Sequence, residues 1–429
     1  MAHTIIRGGT LVTPEQVKRA DILIVGESIS KVDPEIEDPG AHVVAADGLH
    51  IFPGLIDAHV HLRDPGATHK EDWNTGTRAA LAGGVTTVLD MPNNPTPATT
   101  RAGFEEKRAQ AQSKAVCDYG LFSGATANNV QALGQWGAVG IKVYMGATTG
   151  DLLLTDFESL YRHFSSNLAI PIVVHAEDNE ALQYFGRERS RSRHSDQRPP
   201  IAASLAVARA LALAKATGHP LHIAHASTAG ELALVQAAKE RGVQVTVEVT
   251  PQHLFLSTED EERLGSFGVV NPPLRSPDDV RALWERQDDW DIVATDHAPH
   301  TIEEKQAAKP ASGMPGLETM LPLLLNAAHA GRLSLHDIPR LTSRGPARVF
   351  HLSRKGEIAP GYDADLTFVD LNSESVLKKP WQTKCNWSPF EGWRVQGKIA
   401  RVFLRGRQVM ANGEISAEAG GGREVGRSS

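Results

Sequence analysis

Gly54-Leu55-Ile56-Asp57-Ala58-His59-Val60-His61-Leu62-Arg63-Asp64 decides how this chain is read. An apolar run ends in two histidines one residue apart. In a β-strand, positions i and i+2 share a face, so His59 and His61 can reach one metal ion from a single strand end. Neutral imidazole is a ligand for zinc and similar divalent ions. A lone His-x-His also suits two polar residues at a strand end, so the rest of the chain must carry the argument.

Outward from that stretch, apolar β-branched runs recur at 54–62, 85–91, 119–125, 140–145, 170–176, 221–226, 244–250 and 291–296. Stretches 202–217, 229–241 and 278–289 between them repeat their apolar residues at helical spacing. Strands alternating with helices imply a parallel sheet with crossover connections. Eight such units in roughly 250 residues imply a closed (β/α)8 TIM-like barrel. A doubly wound open sheet is the structural alternative, but no Gly-x-Gly-x-x-Gly loop follows an early strand. Residues 1–52 and 351–416 read as short strands between Gly-rich turns. They are expected to build one small composite β-sandwich module beside a barrel of residues 53–350. The Gly-, Ser- and charge-rich residues 417–429 predict a flexible tail.

The 429 residues are 41% apolar and 22% charged, the balance of an ordinary soluble enzyme. A net charge of -7 argues against a general nucleic-acid binder. Two cysteines, Cys117 and Cys385, form neither a zinc pattern nor a disulfide framework, which predicts a cytoplasmic protein. No apolar run approaches the ~20 residues of a membrane span, and the first residues lack a signal-peptide pattern.

The strand ends carry the chemistry, because active sites of such barrels sit there. The first ends in His59-Val60-His61-Leu62-Arg63 and the second in Met91-Pro92-Asn93. The fourth carries Lys142, the fifth His175, the sixth His225 and the eighth Asp296. Histidine or carboxylate at four strand ends around one axis indicates metal ligation. His222 reads as a packed strand residue, since His225 is nearer the strand end. His297 and Asp57 read as groups that orient ligands. The plain alternative for Lys142 is an ion pair at the barrel mouth, and for Arg63 a salt bridge with Asp64.

These blocks resemble the amidohydrolase superfamily, and within its cyclic-amidohydrolase branch the dihydroorotases. His59-Val60-His61-Leu62-Arg63-Asp64-Pro65-Gly66, Met91-Pro92-Asn93, Asn271-Pro272-Pro273-Leu274-Arg275 and Thr295-Asp296-His297-Ala298-Pro299-His300 carry the likeness. So do Gly313-Met314-Pro315-Gly316-Leu317-Glu318-Thr319 and the return at 355–366. One departure is that Arg198-Pro199-Pro200 lacks the glutamate expected shortly after it.

The resemblance implies two zinc ions, one on His59, His61 and Asp296, the other on His175 and His225. A carboxylated Lys142 would bridge them, with Asp151 as the rival bridge. It further implies a small cyclic-amide substrate, dihydroorotate, opened to carbamoyl aspartate in pyrimidine biosynthesis. Asp296 would shuttle the proton. Arg63, Asn93 and His300 would hold the substrate carboxylate, and Asn271, Ser312 and Gly313 would read the ring edge. A homo-oligomer and an association with aspartate transcarbamoylase are expected partners. Allantoinase is the alternative activity. A hydantoinase is disfavoured because Ala147 and Thr148 stand where its tyrosine would lie. A catalytically silent scaffold is a third reading, against which every ligand position is filled.

Overall fold

The computed structural model describes residues 3–148, 150, 152–190 and 192–426. Its centre is a sheet of eight strands, each parallel to the next: Leu55–Val60, Val85–Asp90, Asp118–Gly124, Gly140–Tyr144, Ile172–His175, Leu221–Ile223, Val245–Val249 and Ile292–Val293. The sheet closes on itself where Val60 pairs with His297 and the His61 N–H donates to the His297 carbonyl at 2.8 Å. The barrel expected from the alternating runs is therefore present.

Several crossover helices start where the sequence offers a cap. Asp72 and Thr75 form a capping box at helix Trp73–Ala82, and Thr228 with Glu231 does so at Ala229–Glu240. Helix Pro200–Thr217 is long and apolar enough by composition to cross a membrane. Ala203, Val207, Ala210 and Ala214 on one face are buried within the protein. Ile56, Ala58, Phe122, Val173, Ala224 and Ile292 fill the barrel interior, and Phe350 joins them.

The first strand departs from strict alternation. Asp57 stands opposite Val88, but Val60 stands opposite Asp90, so one extra residue is inserted. This bulge lets Ile56 and Ala58 pack into the apolar interior while His59 and His61 above them still face the axis.

Both chain ends build the β-module. One sheet joins His3–Arg7, Asp21–Val25, Ser28–Asp33 and His42–Ala45. The other joins strands from both ends, with His50–Pro53 paired to Leu366–Val376. Ile6, Ile22, Ile24 and Ile29 of the first sheet pack on Ile51, Leu366, Phe368 and Phe403 of the second, the two-sheet arrangement of a sandwich. Lys355 fastens the module to the barrel: its Nζ lies 2.6 Å from Asp118 and 2.6 Å from Asp365, all buried.

Two segments do more than their composition suggested. Between Leu366–Val376 and Arg394–Leu404 the chain leaves the module and straps across the barrel mouth. The Gln382 N–H donates to Glu318 at 2.9 Å, and the Trp387 indole to the His300 carbonyl at 2.8 Å. The tail expected to be flexible is instead docked over 417–426. The Tyr119 N–H donates to the Arg423 carbonyl and the Val425 N–H to the Tyr119 carbonyl, Glu424 meets Arg108 at 2.7 Å, and Arg423 meets Glu27 at 2.6 Å. Its charges have fixed partners, which is why polarity there does not mean mobility.

Candidate active site

At the C-terminal ends of the strands lies a small cavity, the place where barrels of this kind carry their active sites. His59, His61, Lys142, His175, His225 and Asp296 line it, with Arg63, Asn93, Asn271, Ser312 and Gly313 around them. Of the residues singled out in the sequence, His300 stands behind this wall. Asp151 lies outside the described residues.

The donor atoms converge. His59 Nε2 and His61 Nε2 lie 3.3 and 3.1 Å from one Asp296 oxygen. His175 Nδ1 and His225 Nε2 approach to 2.9 Å. Three of the four rings are oriented from behind. His59 Nδ1–H donates to Glu248 at 2.5 Å, His61 Nδ1–H to the Asn93 carbonyl oxygen at 2.7 Å, and His175 Nε2–H to Glu177 at 3.1 Å. Each bond places the ring proton on the outer nitrogen and leaves the inner nitrogen to the cavity, the arrangement of metal-binding histidines. His59, His61 and Asp296 form a buried group of the right reach for one ion. The donor set thus fits a metal.

Electrostatics agree. Burial would raise the Asp296 carboxyl, but the charge of His59 and the bond to His61 hold it well below the usual carboxylate range. Burial drives His61 down to about 3, so its ring is neutral and can donate an electron pair. Burial also lowers the Lys142 amine to about 8. That amine sits 3.5 Å from His59 Nε2 and 5.4 Å above the Tyr144 ring, and has no carboxylate within ion-pair distance among the described residues. The expected alternative of an ion pair for Lys142 is therefore absent there.

Arg63 is 6% exposed. Its Nε donates to the Pro299 carbonyl at 3.2 Å and its Nη2 lies 3.2 Å from His300 Nε2. Asp64, its expected rival partner, is taken by Lys114 at 2.6 Å. Among the described residues no carboxylate pairs with this guanidinium. Arg63, His225 and Asp296 all adopt positive φ, at 62°, 38° and 48°, where non-glycine residues are rare and functional sites concentrate.

Asn271 lines the cavity and receives His194 Nε2–H at 2.8 Å. Asp57 accepts from Thr295 Oγ1 at 2.5 Å and from the His59 N–H at 3.2 Å, so it links the first and last strands; burial pushes its carboxyl up to about 6. His222 is buried beneath the site, bonded to Thr246 and Glu248. Sequence reasoning gave Glu248, Glu177 and Arg198 no role. Arg198 binds Glu177 through Nε at 3.1 Å and so stands behind His175. The signal available was a carboxylate inside a buried β-run, which needs a partner.

Residues 50–409 match the amidohydrolase family. The chain is 41% identical to a dihydroorotase of Halobacterium salinarum over 92% of its own length and 94% of the relative's. It is 36% identical to an allantoinase of Deinococcus radiodurans over 96% of each. It is 41% identical to the multifunctional protein CAD of Squalus acanthias, of which it spans 15% of the length. Among solved structures, the L-hydantoinase of Arthrobacter aurescens superposes with a TM-score of 0.96, at 30% identity and full coverage of both chains.

Proposed function

The chain belongs to the amidohydrolase family, and on that footing we propose that it is a dihydroorotase of pyrimidine biosynthesis, opening the ring of dihydroorotate to N-carbamoyl-L-aspartate. The observation that carries this reading is the buried Arg63 guanidinium at the cavity wall, flanked only by neutral partners among the described residues. A buried cation without a counter-ion is costly. A substrate carboxylate would supply that counter-ion, and a guanidinium can bind it through two parallel hydrogen bonds. Dihydroorotate carries a carboxylate on its ring, whereas allantoin does not.

His59, His61, His175, His225 and Asp296 would hold two zinc ions, with Lys142 as its carbamate or Asp151 as the further ligand. Carboxylation of Lys142 would replace a buried cation by an anion with two ligand oxygens. Bound there, the metals supply a water of lowered pKa and polarise the scissile carbonyl. Asp296 accepts the proton of the attacking water as the new C–O bond forms. It then passes that proton to the ring nitrogen as the C–N bond breaks. Arg63 and Asn93 hold the carboxylate, while Asn271 and the Ser312–Gly313 backbone bound the ring edge. The reading extends to a cytoplasmic enzyme that assembles as a homo-oligomer and associates with an aspartate transcarbamoylase.

The test is ring opening of dihydroorotate and of allantoin, side by side, by the zinc-loaded protein with bicarbonate present. Turnover of dihydroorotate supports the reading. Turnover of allantoin alone discards it and leaves the metal site intact.

A further inference from the structure

Outside the ligand set, a further buried cation has no ion pair among the described residues. Lys305 ends the short helix Ile302–Lys305 and is 0% exposed. Its Nζ donates to three backbone carbonyls: Val269 at 2.8 Å, Ala311 at 2.8 Å and Gly313 at 3.0 Å. All three ammonium hydrogens are thereby used. The Val269 carbonyl also accepts the Gly313 N–H at 3.0 Å. The Trp387 ring lies 5.7 Å from Nζ, and its indole N–H holds the His300 carbonyl. Burial pulls this amine down to about 7, a cost that methionine at the same place would avoid.

The three carbonyls belong to two stretches of the cavity rim that are hydrogen-bonded to each other. Val269 precedes Val270 and Asn271, and Ala311 and Gly313 bracket Ser312; Val270, Asn271, Ser312 and Gly313 all line the cavity. Gly313 has φ +143°, and a Cβ there would sit 2.5 Å from the Ala298 carbonyl oxygen. This backbone is thus held in one conformation, with a fixed gap to Asn271. We propose that Lys305 is a positioning residue for substrate binding: its ammonium clamps 269–271 to 311–313 and so sets the width of the slot that reads the ring edge.

The inference rests on the function proposed above. Its test compares wild type with Lys305→Met, which keeps the length and removes the donors. KM for dihydroorotate should rise about tenfold or more, with kcat within about threefold and metal content unchanged. Trp387→Phe, which keeps a ring and drops the bond to His300, should raise KM in the same direction and less. An unchanged KM in folded Lys305→Met overturns the clamp, as does an equal fall of kcat and metal content. If Lys305→Met does not fold, an unchanged KM in Trp387→Phe overturns it. Wild type inactive on dihydroorotate and active on allantoin would refute the proposed substrate alone; the same KM-against-kcat comparison is then read on allantoin.

Discussion

His59 and Glu248 stand 189 positions apart in the chain and meet at 2.5 Å. The same carboxylate receives His222 Nε2–H at 3.1 Å and the backbone N–H of His225 at 3.0 Å. One side chain therefore orients a ligand on the first strand and the backbone of another after the sixth. Glu248→Gln puts a donor where one of these acceptors was. Metal affinity should fall about 10–100-fold with the circular dichroism spectrum unchanged. Equal metal content after dialysis, read by atomic emission, would remove Glu248 from the metal site.

Asp296→Asn keeps the shape and removes the base. Turnover per bound metal should fall roughly 10²–10⁴-fold. A variant that turns over at the parent rate, once normalised to its metal content, would end the proton-shuttle assignment.

Arg63 is assigned to the substrate carboxylate, so its loss belongs in KM. Both Arg63→Ala and Arg63→Lys should raise KM for dihydroorotate, by about tenfold or more, with a smaller effect on kcat. Lysine is not a conservative exchange here, because an ammonium cannot reproduce the fork. A KM unchanged in both variants would point the carboxylate elsewhere.

Lys355 joins the β-module to the barrel through Asp118 and Asp365, neither of which lines the cavity. Lys355→Met leaves the buried Asp365 without its cation, while Asp118 keeps Arg405. Stability should drop by about 3–5 kcal/mol, read from urea unfolding, with kcat of the folded enzyme unaffected. Unaltered unfolding would show that the contact between the two units rests on apolar packing.

Glu318 accepts backbone N–H groups of Gln382 and Thr383, and burial pushes its carboxyl up from 4.5 to about 7. Between those values the folded chain binds more protons than the unfolded one, so stability falls as pH climbs through that window. The loss is roughly 3 kcal/mol at most. Melting temperatures of wild type and Glu318→Gln should diverge from pH 4.5 to 7, with wild type falling relative to the variant. Parallel curves would contradict the assignment.

Much of this was legible beforehand. Eight apolar runs became eight strands because burial on both faces leaves a continuous signature, and the candidate site was readable because its residues lie at or near strand ends. Glu248 was hidden. It sits within Val245-Thr246-Val247-Glu248-Val249, which looks like ordinary alternation, and its partners come from two other strands. The strap through Trp387 has no periodicity and declares itself through its contacts, with Glu71, Asp72, His300 and Glu318 among its partners. The docked tail was misread for a related reason: Arg423 and Glu424 look solvated until Glu27 and Arg108 come beside them.

The inserted residue in the first strand has a consequence for how such a sequence can change. Side chains at 59 and 61 can be exchanged one at a time, each exchange testing a single ligand. Deleting Ala58 would instead restore strict alternation: His59 would drop to the interior position that Ala58 fills, and His61 and Arg63 would each be drawn one residue down the strand. That segment behaves as a ruler: substitutions alter one mark, whereas a shortening by one moves every mark beyond it.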